Sequence, residues 1–221
     1  MPVSRIRQLG LVNAYLVQED DGLTLVDALL PGAQKKILAA AETIGAPIVR
    51  VALTHAHGDH IGSLDKLAAA LPDAEVLIST RDARLLAKDK SLDPGEPQGK
   101  WRGNYPGANT KPTATLAAGD RVGSLEVHAA PGHTPGQIAF LDPRDGTLYC
   151  ADAYSTLGGV ATTAKPYARF PLPGFATWHG PTALESARAL RTLDPARLAP
   201  GHGKVVEAPG AAMDRAIARG A

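Results

Sequence analysis

The chain is poor in several features that would otherwise narrow its chemistry. It has one cysteine, Cys150, among 221 residues. That excludes an internal disulfide framework and any Cys-rich zinc module, so metal ligands must be histidine or carboxylate. No window approaches the ~18 uninterrupted apolar residues of a membrane span. The opening "MPVSRIRQLGLVNAYLV" lacks a basic cluster followed by an apolar core and a small-residue cleavage site. A cytoplasmic location is expected. Neither sign of charge dominates: 23 Lys and Arg face 22 Asp and Glu, which gives no long-range field of the kind a nucleic-acid backbone or an anionic membrane requires. Those partners are set aside in favour of a small-molecule substrate.

What is present is an alternation of strands and helices in a length that suits one domain, residues 1–221. "VNAYLVQ" and "LTLVDA" flank the turn "EDDG" as a hairpin with one buried face, and Asp27 falls at the end of its second strand. "GAQKKILAAAETIG" places Ile37, Leu38, Ala41 and Ile44 on one helical stripe, and "PIVRVALT" follows as a near-continuous buried strand. That strand runs into "HAHGDH" and then a second helical pattern with Ile61, Leu64, Leu67 and Leu71. A polar cluster at a strand-to-helix junction is a usual place for a site in α/β proteins. Further on, "EVLIST", "GSLEVHAAPGH", "QIAFLD" and "GTLYCADA" read as strands. A helix is expected from about Asp82 to Lys88, and another with Thr182 and Glu185 at capping-box spacing. Two stretches, 91–115 and 154–181, lose all periodicity among prolines and glycines.

The chemistry concentrates in "THAHGDH". His55 and His57, two apart in extended backbone, can face the same side, and Gly58 permits an abrupt turn before Asp59 and His60. One short loop can thus feed two adjacent ions. "PGHTPG", "CADA" and "PGHG" add His133, Asp152 and His202, each bracketed by small or turn residues that leave room for a ligand. A lone histidine is more often a solvated or core residue. Five of the seven histidines in such settings are not.

The set His55, His57, Asp59, His60, His133, Asp152 and His202 resembles the metallo-β-lactamase-fold hydrolases, over nearly the whole chain from "VNAYLV" to "PGHG". The resemblance implies a four-layered αββα sandwich with the metals at one edge of two sheets. It implies one ion on His55, His57 and His133, a second on Asp59, His60 and His202, and Asp152 bridging both. Asp27 would support the site from behind the ligands. Zinc is the expected ion, with iron, manganese or cobalt as alternatives. Two such ions activate a shared water as hydroxide and polarise the substrate, which suits a carboxylic ester, with lactones and thioesters leading.

Asp152 stands where the true β-lactamases of this family use a cysteine or no bridging acid, so β-lactam cleavage is not favoured. Few residues follow "PGHG", so the C-terminal helical domain with which glyoxalase II grips glutathione is not expected, and a lactonase or general esterase remains. The alternatives are a mononuclear iron oxidoreductase resembling persulfide dioxygenases and a phosphodiesterase of the same fold. Asp59 is the candidate to pass a proton to the leaving group, and Tyr154 to place a hydroxyl near the metals. Trp101, Tyr105, Tyr154, Tyr167, Phe170, Phe175, Trp178 and His179 in the irregular stretches are candidates for a substrate wall, and Lys100, Arg102, Lys111, Lys165 and Arg169 for binding an anion. Cys150 reads as a packing thiol on the same face as Asp152, and His128 as facing solvent. The long loops also suit packing across a homodimer interface.

Overall fold

A computed structural model describes residues 4–221. In chain order, β1 (Ser4–Gln8), β2 (Val12–Glu19) and β3 (Gly22–Val26) form a meander, followed by α1 (Gln34–Ile44), β4 (Ile48–Ala52), α2 (Gly58–Ile61), α3 (Leu64–Ala70), β5 (Glu75–Ser79), α4 (Thr80–Leu86) and β6 (Ala114–Leu116). These six strands make one sheet in sequence order, antiparallel up to β3 and parallel from β3 to β6. The second half supplies β7 (Arg121–Val122), β8 (Leu125–Ala129), β9 (Ile138–Asp142), β10 (Thr147–Ala151), the small hairpin β11 (Tyr154–Ser155) and β12 (Ala161–Thr162), α5 (Leu172–Ala176), α6 (Gly180–Arg191), β13 (Arg197–Pro200), β14 (Val206–Glu207) and α7 (Gly210–Gly220). Its six-stranded sheet has the order β14-β13-β10-β9-β8-β7.

Period-two alternation explains why these strands read as apolar runs: both faces are covered. In β2, Ala14 and Leu16 pack under α1 and α3 with Ile37, Leu64 and Leu67, whereas Tyr15 and Val17 point the other way and meet Val127, Phe140 and Tyr149 of the second sheet. In β10, Leu148 and Cys150 face Ala187 and Leu190 of α6 and Met213 of α7. Three buried layers therefore lie between helices, sheet, sheet and helices, which is the αββα sandwich the resemblance implied. Among the described residues no helix is long and apolar enough to cross a membrane.

Several local expectations change. The residues after Gly58 form a turn of helix with His57 as its N-cap in extended backbone (φ −73°), so a glycine-specific turn is not what redirects Asp59 and His60. The cap of α6 is His179, whose side chain accepts the Thr182 N–H, three residues before the expected cap at Thr182. The stretch 154–181 contains β11, β12 and α5, and β1, β14 and α7 lie outside the expected elements.

Most consequential is the end of β10. Its register against β13 shifts between Tyr149 and Ala151, and Ala151 sits at φ 47°. That breaks the alternation: Cys150 and Tyr154 turn together into the α6–α7 core while Asp152 is freed for the opposite side. Cys150 is thus a packing thiol, as expected, but not on the face of Asp152, and burial pushes its pKa up. The left-handed conformation costs an L-residue ~1–2 kcal/mol, against ~0.5–1 kcal/mol of extra chain entropy for glycine. Ala151→Gly is therefore expected to leave the melting temperature unchanged or raise it by up to a few degrees, read by calorimetry; a clear drop would show that Ala151 is unstrained.

Candidate metal centre

The loops that leave the parallel strands of the first sheet and those after β8, β10 and β13 of the second meet at one edge of the sandwich. Backbone hydrogen bonds sew them together: Ile138 N–H to Thr54 O at 3.0 Å, Asn13 N–H to Gly201 O at 2.8 Å, and Gly201 N–H to Ala151 O at 2.9 Å. All seven residues picked out by sequence converge there. Ligand-capable atoms of His55, His57 and His133 lie within 4.8 Å of one another, as do those of Asp59, His60 and His202, and of His55, His60 and Asp152. Asp152 Oδ2 is 3.3 Å from His133 Nε2 and 3.1 Å from His202 Nε2, one histidine from each set of three. Asp59 Oδ2 lies 3.3 Å from His202 Nε2.

The second nitrogen of four histidines is already committed. His55 Nδ1 lies 3.0 Å from Thr54 Oγ1, His60 Nδ1 2.7 Å from Asp27 Oδ2, His133 Nδ1 2.9 Å from Thr177 Oγ1, and His202 Nδ1 2.9 Å from Leu11 O. As donors to these oxygens, the Nδ1 atoms leave each Nε2 aimed inward as the atom that can give its lone pair to an ion. His57 presents Nδ1 instead, 2.9 Å from His133 Nε2. Asp27, held at φ 64°, also accepts the Thr54 N–H at 2.8 Å, so one buried carboxylate braces His60 directly and His55 through Thr54.

A divalent ion fits this arrangement. His55 Nε2, His60 Nε2 and Asp152 Oδ1 are buried without a hydrogen-bond partner, a costly state unless a cation completes them. Ligand atoms each ~2.0–2.1 Å from a tetrahedral ion sit ~3.3 Å apart, which the 2.9–3.3 Å separations approach. Gly201 leaves the cradle open, since a Cβ there would strike Asp152 Oδ1 and His60.

The two sets of three differ in charge. Burial, with the neighbouring imidazoles, holds His55 well below its ordinary value, His57 at about 3 and His133 at about 4. Burial also opposes charge on His60 and His202, but Asp27, Asp59 and Asp152 outweigh it for His60, and Asp152 with Asp59 pushes His202 up to about 10. The same imidazoles, His202 and His60 first, overcome burial and hold Asp152 far below the usual carboxylate range.

In the metal-free chain a protonated His202 therefore adds stability that is complete below its unfolded pKa of 6.5 and lost as pH rises through about 10. An ion entering the Asp59, His60 and His202 set must expel that proton. Its apparent affinity is expected to rise about tenfold per pH unit for each proton displaced, while the three-histidine set, already neutral, shows no such slope near pH 7. Calorimetric titration in buffers of different ionisation enthalpy reads the proton release; equal, pH-independent uptake at both sets would contradict it.

Tyr154 does not belong to this site. Its ring is fully buried in the α6–α7 core and its hydroxyl donates to Ala187 O at 2.7 Å, because the break at Ala151 reverses the direction strand alternation would have given it. Of the loop aromatics, Tyr105 packs on His57 at 4.5 Å between ring centroids and Phe170 lies 5.6 Å from His202, while Tyr167 points to Gly158 O on the outside. Lys165 and Arg169 are tied to the carbonyls of Ala221 and Gly158. His128 is half-buried with its Nε2 enclosed, where exposure was expected.

Three supports escaped sequence reasoning. Thr54 and Thr177 look like ordinary strand and loop residues. Asp82 is fully buried and accepts from Ala56 N–H (2.9 Å), Thr134 Oγ1 (2.7 Å) and Gly136 N–H (2.8 Å), which ties the His55–His57 loop to the His133 loop. In sequence it is merely the start of the helix expected from about Asp82 to Lys88; in the fold its N–H donates to the Ser79 side chain, which caps α4.

Comparison with known proteins agrees with this geometry. Residues 7–202 match the Metallo-beta-lactamase superfamily. "Uncharacterized protein YobT" of Bacillus subtilis (strain 168) is 47% identical over 207 residues, 93% of this chain and 89% of that one. A hydroxyacylglutathione hydrolase of Synechocystis sp. is 31% identical over 131 residues, 55% of this chain and 42% of its own, so the chain spans less than half of that relative. Among solved structures, TTHA1623 in a di-iron-bound form superposes with a TM-score of 0.66 at 27% identity, covering 95% of this chain and 96% of that one.

Proposed function

The chain belongs to the metallo-beta-lactamase superfamily, and from that premise we propose that it is a dinuclear metal-dependent hydrolase of small carboxylic esters, with lactones and thioesters as the leading substrates. The observation that carries the reading is Asp152 Oδ2, placed 3.3 Å from His133 Nε2 and 3.1 Å from His202 Nε2, between two complete sets of three ligands. His55, His57 and His133 would hold one ion and Asp59, His60 and His202 the other, with Asp152 shared. Bound ions supply Lewis acidity and a water of lowered pKa. Zinc suits the imidazole and carboxylate donors; iron is a second arm of the test, because TTHA1623 is di-iron-bound.

The remaining work falls to the chain's own residues. Thr54, Asp27, Thr177 and the Leu11 carbonyl fix the imidazole rings, so the donor atoms need not reorganise as charge develops. Asp59 is half-buried and lines the cavity at the cluster, and its carboxylate is the group best placed to carry a proton to the leaving oxygen or sulfur. Asp59→Asn is expected to lower kcat by about 10²–10⁴ with most of the metal retained; a variant with full metal and full activity would remove Asp59 from that role.

The reaction class is tested with a panel of lactones, thioesters, aryl esters, phosphodiesters and β-lactams, assayed with zinc, manganese, cobalt and iron. Turnover of lactones or thioesters with two ions supports the proposal. Turnover of phosphodiesters alone, or oxygen consumption with a single iron, contradicts it.

A further inference from the structure

Beside the ligand cluster opens a cavity of about 250 Å³. Apart from five ligand side chains its wall is almost wholly apolar, built from Leu11 and Val12 at the β1–β2 turn, Leu30, and the α5 region with Phe170 and Leu172. Leu11 and Leu172 are 40% and 60% exposed, and Phe175 on the same short helix is 58% exposed. Large apolar side chains left in water around a concave site mark a surface that a ligand covers. Among the described residues this wall holds no lysine or arginine, and its charged members, Asp59 and Asp152, are both in the ligand cluster.

One other polar side chain lines the cavity, Asn104. The backbone carbonyl of Asn104 accepts the Gly58 N–H at 2.9 Å, and a Cβ built on Gly58 would lie 2.9 Å from the side-chain Nδ2 of Asn104. The side-chain amide therefore lies against Gly58, between His57 of one set and Asp59 of the other, where a Cβ would push it aside. A neutral donor and acceptor beside the reacting centre, in an otherwise apolar pocket, is how such sites fix the orientation of a carbonyl compound.

Resting on the hydrolase reading above, we propose that this cavity takes the uncharged, apolar acyl portion of the ester, and that Asn104 is the specificity-determining contact that orients it. A distal carboxylate on the acyl chain, held away from the ions, would lie against Leu11, Leu172 and Phe170 with no lysine or arginine in the wall to pair with.

The test uses the zinc-loaded full chain and two matched pairs of probes: hexanamide against adipamate for binding, followed by NMR, and the 4-nitrophenyl esters of hexanoate and of adipate for turnover. Hexanamide is expected to bind, and the hexanoate ester to react, at least tenfold better than its carboxylate-bearing counterpart. Leu172→Lys, a change at an exposed position, should narrow or reverse that preference. Asn104→Ala should lower kcat/KM for the hexanoate ester at least tenfold with zinc content unchanged, and Asn104→Gln should recover part of it. Equal or tighter binding of adipamate, or full activity in Asn104→Ala, overturns the proposal. Ester turnover without the preference sinks this inference and leaves the hydrolase; preferential hexanamide binding without turnover of any ester sinks the hydrolase and leaves the cavity's selectivity standing.

Discussion

Asp152→Ala is expected to lower ester hydrolysis by at least about 10³-fold, some 4 kcal/mol of transition-state stabilisation, and to leave the chain unable to hold two ions together. The reason is positional. Asp152 Oδ2 faces His133 and His202 while Oδ1 lies 3.5 Å from His60 Nε2, so this carboxylate touches both sets of three. Without it the raised pKa of His202 also falls, because Asp152 is the main group that lifts it against burial. His55→Ala should cost activity comparably by dismantling the three-histidine set alone, and would leave Asp59, His60 and His202 in place. Metal content measured beside the rate separates the two variants. Wild-type rates in both would mean that the cluster is not the reaction centre.

The second large effect is expected at Asp82, which touches no ligand side chain. Asp82→Ala leaves the Ala56 and Gly136 N–H groups and the Thr134 hydroxyl without their acceptor in a buried site. Orphaned buried donors cost ~1–3 kcal/mol each, and a total of ~3–5 kcal/mol lowers the melting temperature of a chain this long by about 10 °C. The variant should also weaken the first ion, because Ala56 lies between His55 and His57 and Thr134 follows His133. A loss of about 10–100-fold in affinity is the usual scale for groups that position ligands. Burial pushes the Asp82 carboxyl up to about 6, which still leaves it ionised and able to accept three hydrogen bonds at neutral pH. Unchanged melting and unchanged affinity in metal-free and metal-loaded protein would refute the clamp.

Asp82 also shows where sequence reasoning ends. The residues that converge on the centre were legible because metal chemistry restricts donors to a few side chains, and because "HAHGDH" follows a buried strand. Their supports were not. Thr54, Thr177 and Asp82 act through contacts 27 to 52 positions away, namely Asp27 to Thr54, Thr177 to His133 and Asp82 to Thr134, and nothing in their local pattern distinguishes them from strand, loop or cap residues.

Tyr154 failed for a different reason. Counting two residues on from Asp152 assumes that the strand continues, and the register shift at Ala151 ends it. Gly58 was noticed for its backbone freedom, whereas in the fold it opens a turn of helix and lies under Asn104, a neighbour 46 residues later in the chain. The main strands and helices were readable from apolar runs and hairpin turns, whereas their four-layered stacking was implied by the family resemblance. The short β11–β12 hairpin and α5 were hidden in a stretch rich in glycine and proline, where packing rather than periodicity decides the structure.

The central claim is that hydrolysis needs two ions held across Asp152, and activity titrated against added metal tests it most directly. Starting from chelator-stripped protein, the account predicts that hydrolysis of the best ester rises until two equivalents of zinc are bound and then stays level, with Asp152→Ala remaining near baseline throughout. A plateau at one equivalent, or turnover that persists in the stripped chain, would contradict it.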